Sequence, residues 1–301
     1  MPLYPMAFPS NPKSFFSGIS IVAKFAFHPD GTVNRYLTNL VDIQLPPSST
    51  PISGVTSYDH TLDSARNLWF RVFIPADLSY SSLPVILYFH GGGFVSFSPA
   101  KLIFNALCQK LAGDLAAIYI SVAYRRSPEN CWPAQYDDGF DVLRFLDDDF
   151  DILANADLSR CFLAGDSAGG NIAHHVAVRA CESEAQFKTV RIRGLIGIQP
   201  FFGGKERTES ELQMKNHGLL LNLDHTDFYW EAFLPNGWIE TIQVRMCSGQ
   251  VPWIYLVWVG SRLPLWLLVG WQGSGVVEYP NMGLGFYVAP ELPETQMLFD
   301  K

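Results

Sequence analysis

Five short β-rich runs, each stopped by Gly, Pro or a polar residue and separated by stretches with helical spacing, limit the folds open to this chain. They are 67–75 (NLWFRVFIP), 83–93 (LPVILYFHGGG), 116–125 (AAIYISVAYR), 160–170 (RCFLAGDSAGG) and 194–202 (GLIGIQPFF). Between them, 100–114, 136–149 and 169–184 carry apolar residues at helical intervals. Strands alternating with helices of this length predict an α/β fold, with a mostly parallel central sheet covered by helices on both faces. Residues 1–50 read as a helical N-terminal cap segment and linker. Phe15, Phe16, Ile19, Ile21, Val22 and Phe25 have helix-like spacing, and a Pro/Ser-rich exit (LPPSSTP) follows. Residues 51–301 form the main body.

Composition narrows the partners. A net charge of −8 without a stripe of Lys/Arg argues against nucleic acid and anionic membrane surfaces. The apolar run 253–270 is interrupted by Arg262 and Pro264, leaving pieces shorter than the roughly 18–20 residues of a spanning helix. Cys108, Cys131, Cys161, Cys181 and Cys247 include no Cys-x-x-Cys pair, so neither a disulfide framework nor a zinc site is expected. With no basic start followed by an apolar run, the expected location is the cytoplasm. No metal or cofactor is expected, and the sequence sets no oligomeric state.

Two motifs carry chemistry. Ser167 lies in Gly165-Asp166-Ser167-Ala168-Gly169, after an apolar strand and at the opening of a helix. Such a turn strains the serine backbone and lifts its hydroxyl to the sheet edge beside a helix N-terminus. Asp166 should point its side chain away from the neighbouring nucleophile. The second motif is His90-Gly91-Gly92-Gly93-Phe94, at the end of the strand 83–89. Consecutive glycines let backbone N–H groups face a cavity, and Gly92, Gly93 and Ala168 are the natural oxyanion donors. Each motif supplies the half of an acyl-transfer site that the other lacks.

Around these motifs the chain resembles the plant carboxylesterases of the hormone-sensitive-lipase branch of α/β-hydrolases, a group that includes the gibberellin receptors. The resemblance runs from about Phe16 to Pro235 and rests on HGGGF (90–94), YRRSPENCWPAQYDDGFDVLRFL (124–146), FLAGDSAGGNIAHHVA (162–177) and IQPFFGGKERTESE (198–211). It returns at VEYPNMGLGFYVAPELPE (277–294). It implies an α/β-hydrolase domain over 51–301, a cap contribution from 205–237, and a small-molecule ester or carboxylate as ligand. It also implies that Ser167 attacks an ester carbonyl, a histidine takes its proton and a carboxylate orients that histidine. His90 and Gly91 then shape the oxyanion loop.

The chain departs from this pattern at both remaining triad positions. Leu284 stands where the family carries its base, and all seven histidines precede it. Between Glu240 and Glu278 there is no Asp or Glu. His174 and His175, in the helix after Ser167, are expected to pack or face solvent, and His225 belongs to the cap. Asp137 and Asp138 are expected to cap or brace a helix.

The missing acid coincides with a stretch that reads as a shifted frame. Family members continue after the cap with Asp-Arg-Asp-His; written GAT AGA GAC CAT and shifted by one base, this gives Ile-Glu-Thr-Ile, which is 239–242. The family's Val-Asp-Ile-Ser-Gly-Leu, written GTG GAT ATA TCT GGT TTG G and shifted likewise, gives Trp-Ile-Tyr-Leu-Val-Trp, which is 253–258. Residues 238–275 are therefore read as an aberrant, frameshifted segment, and the C-terminal part of the sheet is expected to be disturbed. Its apolar runs are nonetheless suited to strand positions. Leu284 lies after the frame returns, so it is a separate substitution. Three functions stay open: an ester hydrolase with weak or lost activity, a non-catalytic small-molecule binder resembling a hormone receptor, and a decayed product.

Overall fold

The computed structural model describes residues 25–28, 30–40, 43–77, 82–149, 153, 155–183, 187–203, 223–235, 254–259 and 275–279. The helical spacing read at 15–25 falls almost wholly outside them, as does Leu284. A short helix, α1 (Arg35–Leu40), precedes the sheet. The body then runs β1 (Val55–Asp63), β2 (Leu68–Pro75), β3 (Leu83–Phe89), α2 (Leu102–Asp114), β4 (Ile118–Ala123), α3 (Ala134–Asp148), β5 (Ala156–Asp166), α4 (Ala168–Glu182) and β6 (Ile192–Ile198). After it come α5 (Leu223–Phe233), β7 (Ile254–Val259) and β8 (Gly275–Tyr279).

Eight strands form one sheet in the order β1-β2-β4-β3-β5-β6-β7-β8. β2 is antiparallel to both of its neighbours, and every pairing from β4 onward is parallel. The five strands expected from the sequence are all present. β1 is an addition: in VTSYDHTLD only Val55 is buried, which leaves a weak apolar signal. The expected disturbance meets a continuous sheet at Ile254–Val259, which pairs in parallel with β6 and β8. Backbone groups alone make such pairings, so an apolar β-prone hexamer fits an interior position whatever its coding origin. The rest of 238–275, apart from Gly275, lies outside the described residues.

Alternation along β3 divides the core. Val85, Leu87 and Phe89 pack with Phe140 and Leu143 of α3 and with Ile172 and Val176 of α4. Ile86 and Tyr88 face the other way, against Phe104, Leu107 and Leu111 of α2. Burying each such side chain contributes about 1.5–3 kcal/mol, so a sheet apolar on both faces is held only when helices cover both. In register, Phe89 of β3 faces Gly165 of β5, and Asp166 faces Ile198 of β6. Three adjacent strands therefore end together, and the segments leaving them meet at one edge, where ligands bind in open α/β sheets. Among the described residues no helix is long and apolar enough to cross a membrane.

Candidate active site

The turn from β5 into α4 places Ser167. Its backbone adopts φ 50° and ψ −119°, and its side chain makes no capping hydrogen bond to its own helix. Ser167 is half-buried, at the end of β5. The turn depends on Gly169: a Cβ there would lie 1.9 Å from the Phe89 carbonyl oxygen, so any side chain would push α4 off β3. Ala168 is the first residue of α4, where N–H groups lack helical partners.

The HGGG loop runs alongside. Gly92 has φ 120° and Gly93 φ 61°, conformations that favour glycine. Val95 and Ser96 donate their N–H groups to the Gly92 carbonyl at 3.0 and 2.9 Å, closing the loop into a turn. Among the described residues, the loop's hydrogen bonds leave the Gly92 and Gly93 N–H groups uncommitted. Gly93 is also a seat: a Cβ there would lie 2.4 Å from the Tyr229 ring of α5.

Asp166 does turn away from Ser167. It is 2% exposed, and its Oδ1 accepts the Gly91 N–H at 2.8 Å and the Tyr88 hydroxyl at 2.5 Å. His90 is fully buried, stacked on Tyr124 at 4.5 Å, with Nδ1 2.7 Å from the Gly91 carbonyl. That contact assigns the proton to Nδ1. Tyr124 donates its hydroxyl to the His90 carbonyl at 2.7 Å. Burial pushes the His90 pKa down to about 3, so the ring is neutral.

The other residues singled out in the sequence lie elsewhere. His175 stacks on Tyr136 at 4.5 Å, and His174 meets Phe202 edge-on at 5.4 Å. Burial, with His174 beside it, lowers the His175 pKa to about 3. Asp137 pairs with Arg179 at 2.6 Å, and buried Asp138 pairs with Arg125 at 2.8 Å. Among the described residues no imidazole bonds to the Ser167 hydroxyl, and no group of three or more His, Cys, Asp or Glu could hold a metal. The sequence reading missed Tyr88 and Tyr124, whose partners are distant in the chain. It also missed Tyr229, although the aromatic run DFYW in α5 marks a helix rich in packing surface.

The segment flanking the site is aromatic. Phe94 stacks on Phe233 at 3.8 Å, Phe201 stacks on Trp230 at 4.9 Å, and Phe27 from the N-terminal segment stacks on Phe228 at 4.7 Å. Trp132 donates its N–H to the Phe233 carbonyl at 2.7 Å. The helix α5 is thus fixed to the residue that follows the glycines.

Residues 86–250 match the family model described as the alpha/beta hydrolase fold. Gibberellin receptor GID1C of Arabidopsis thaliana is 40% identical over 258 residues, covering 81% of this chain and 73% of that protein. Carboxylesterase 20 of the same plant is 38% identical over 218 residues, covering 70% of this chain and 66% of that protein. The 3-O-acetylpapaveroxine carboxylesterase CXE2 of Papaver somniferum is 40% identical over 206 residues, covering 64% of each. Among solved structures, the hyperthermophilic esterase of Pyrobaculum calidifontis superposes with a TM-score of 0.73 at 22% identity, over 99% of this chain and 96% of that one. That likeness bears on the fold alone. The chain belongs to the α/β-hydrolase family, on the branch that holds the plant carboxylesterases and the gibberellin receptors.

Proposed function

We propose that this chain is a carboxylic ester hydrolase by descent that keeps half of its catalytic machinery. Ser167 is the nucleophile, and Gly92, Gly93 and Ala168 donate to the oxyanion. His90, Gly91 and Asp166 shape the loop that presents two of those donors. The substrates are carboxylic esters with small to medium acyl groups. The observation that carries the reading is the backbone of Ser167 at φ 50°, its side chain uncommitted to the helix and the HGGG loop in the adjacent strand end.

The acid and base are missing from the sequence, so turnover is slow. An unassisted serine is a poor nucleophile, and an oxyanion hole with substrate binding alone supplies roughly 10³–10⁴ over water in a well-formed serine-protease site. Hydrolysis of a p-nitrophenyl acyl ester should be slow and should fall further in Ser167→Ala. Fast turnover abolished by that substitution would refute the incomplete triad. We attribute the missing acid to a frameshift over 238–275, which sequencing several independent transcripts tests; an intact frame encoding the same protein in each rules out a mis-assembled gene.

A second reading is a non-catalytic binder of a small carboxylate or ester. It is favoured by the 40% identity to a gibberellin receptor and by Leu284 at the base position. The packing of Phe27 on α5 fits an N-terminal cap over the site, with 205–237 as a second cap element. Thermal stabilisation by a ligand without turnover would select this reading.

A further inference from the structure

A serine does not hold φ 50° and ψ −119° unaided. These angles are those of the first central residue of a type II′ turn, which glycine adopts freely. Such strain persists only where the surroundings over-determine the conformation. At Ser167 four backbone hydrogen bonds do so. Its N–H donates to the Ile198 carbonyl at 2.9 Å, while its carbonyl accepts from the backbone N–H groups of Phe201 at 2.8 Å, Gly170 at 3.0 Å and Asn171 at 3.3 Å.

Two of those four bonds come from the last residue of β6 and the segment that leaves it. That segment is itself strained, because Gln199 within it has φ 44° and is 5% exposed. It therefore needs support of its own. Asn171, on the first turn of α4 and fully buried, donates its Nδ2 to the Phe201 carbonyl at 3.1 Å. The Oδ1 of the same amide accepts the Tyr136 hydroxyl of α3 at 2.6 Å. Tyr136 is 8% exposed, and its ring is held by the stack on His175.

We propose that Asn171 and Tyr136 are positioning residues for Ser167. The chain of bonds runs from the Tyr136 hydroxyl through the Asn171 amide to Phe201, whose N–H then holds the Ser167 carbonyl. An amide suits position 171, because it donates to the carbonyl from Nδ2 while it accepts from the phenol at Oδ1. The proposal rests on the reading of Ser167 as nucleophile for its purpose, but its mechanical content does not require turnover.

A thermal-unfolding cycle on the full chain tests it, using Ser167→Gly, Asn171→Ala and the pair. Ser167→Gly relieves strain and should raise the midpoint by about 2 °C or more. In the Asn171→Ala background the turn has already relaxed, so the same substitution should raise the midpoint by less than half as much. Equal gains in both backgrounds overturn the proposal. Where Asn171→Ala does not fold, the cycle is run with Tyr136→Phe, which removes one hydroxyl and leaves the ring in place.

A second readout is the rate of labelling by a fluorophosphonate, in which the Ser167 oxygen bonds to phosphorus, fluoride departs and the hydroxyl proton passes to water. At temperatures where the variants are folded, Tyr136→Phe and Asn171→Ala should slow labelling about tenfold. Rates equal to that of the parent chain would mark both residues as core fillers only. A parent chain that takes no label at all overturns the nucleophile reading instead, and the thermal cycle still decides the positioning.

Discussion

Asp166 and Ser167 are adjacent in the chain, yet the reversal of backbone at Ser167 sends their side chains to different surroundings. Asp166 is sealed under the glycine loop, while Ser167 is half-buried and makes no capping bond to its helix. A side chain at Gly169 would undo this by displacing α4 from the Phe89 carbonyl. Gly169→Ala should cost about 3 kcal/mol or more, measured by urea unfolding, and should abolish labelling of Ser167. The half-buried His175 makes a prediction in pH. Its folded pKa of about 3 lies below the ordinary 6.5, so the unfolded chain takes the proton first. Stability conferred by the neutral ring is complete above pH 6.5 and lost as pH falls towards 3. In His175→Phe, the slope of unfolding free energy on pH across that window should drop by about 1.4 kcal/mol per pH unit. Ser167 and the glycines were legible in the sequence because each motif is complete within five residues. Tyr88 was not, because its carboxylate partner lies 78 residues away and only the strand register brings them together.

At the scale of elements, the helix α5 and the glycine loop share one aromatic contact surface. Phe94 follows the glycines directly, has φ 65° and stacks on Phe233 at the end of the helix. Phe233→Ala should destabilise the fold by about 3–5 kcal/mol in urea. It should also reduce ester binding, because the loop loses the ring that steadies its exit. The strands of the body were legible wherever both faces are buried, as in IYISVA of β4. β1 was harder to read: its outer residues are solvated, its alternation is diluted by Ser, Asp, His and Thr, and β2 supplies the pairing. The helix α5 could be placed in the chain but not over Gly93, since nothing local in DFYW specifies where its rings dock.

For the molecule as a whole, α/β class followed from the alternation of elements, whereas the strand order depends on crossovers that no single segment encodes. The same holds for the acid and base proposed to be missing, whose positions only the family pattern defines. If Leu284 occupies the base position, Leu284→His alone restores a base without its orienting acid. It should raise p-nitrophenyl ester turnover by at most about 10²-fold, and restoring the family frame over 238–275 as well should bring the gain to about 10⁶-fold. Equal activity of the two variants would show that the acid lies elsewhere. The strand order also has a consequence for biosynthesis. β6 is complete at Ile198, and its outer neighbour begins only at Ile254. At about 5–20 residues per second, a nascent chain leaves the β6 edge open for roughly 3–11 s while the ribosome makes what will cover it. During that interval Leu195 and Ile196 border an unpaired edge beside the finished turn at Ser167, and a holdase bound there would compete directly with β7.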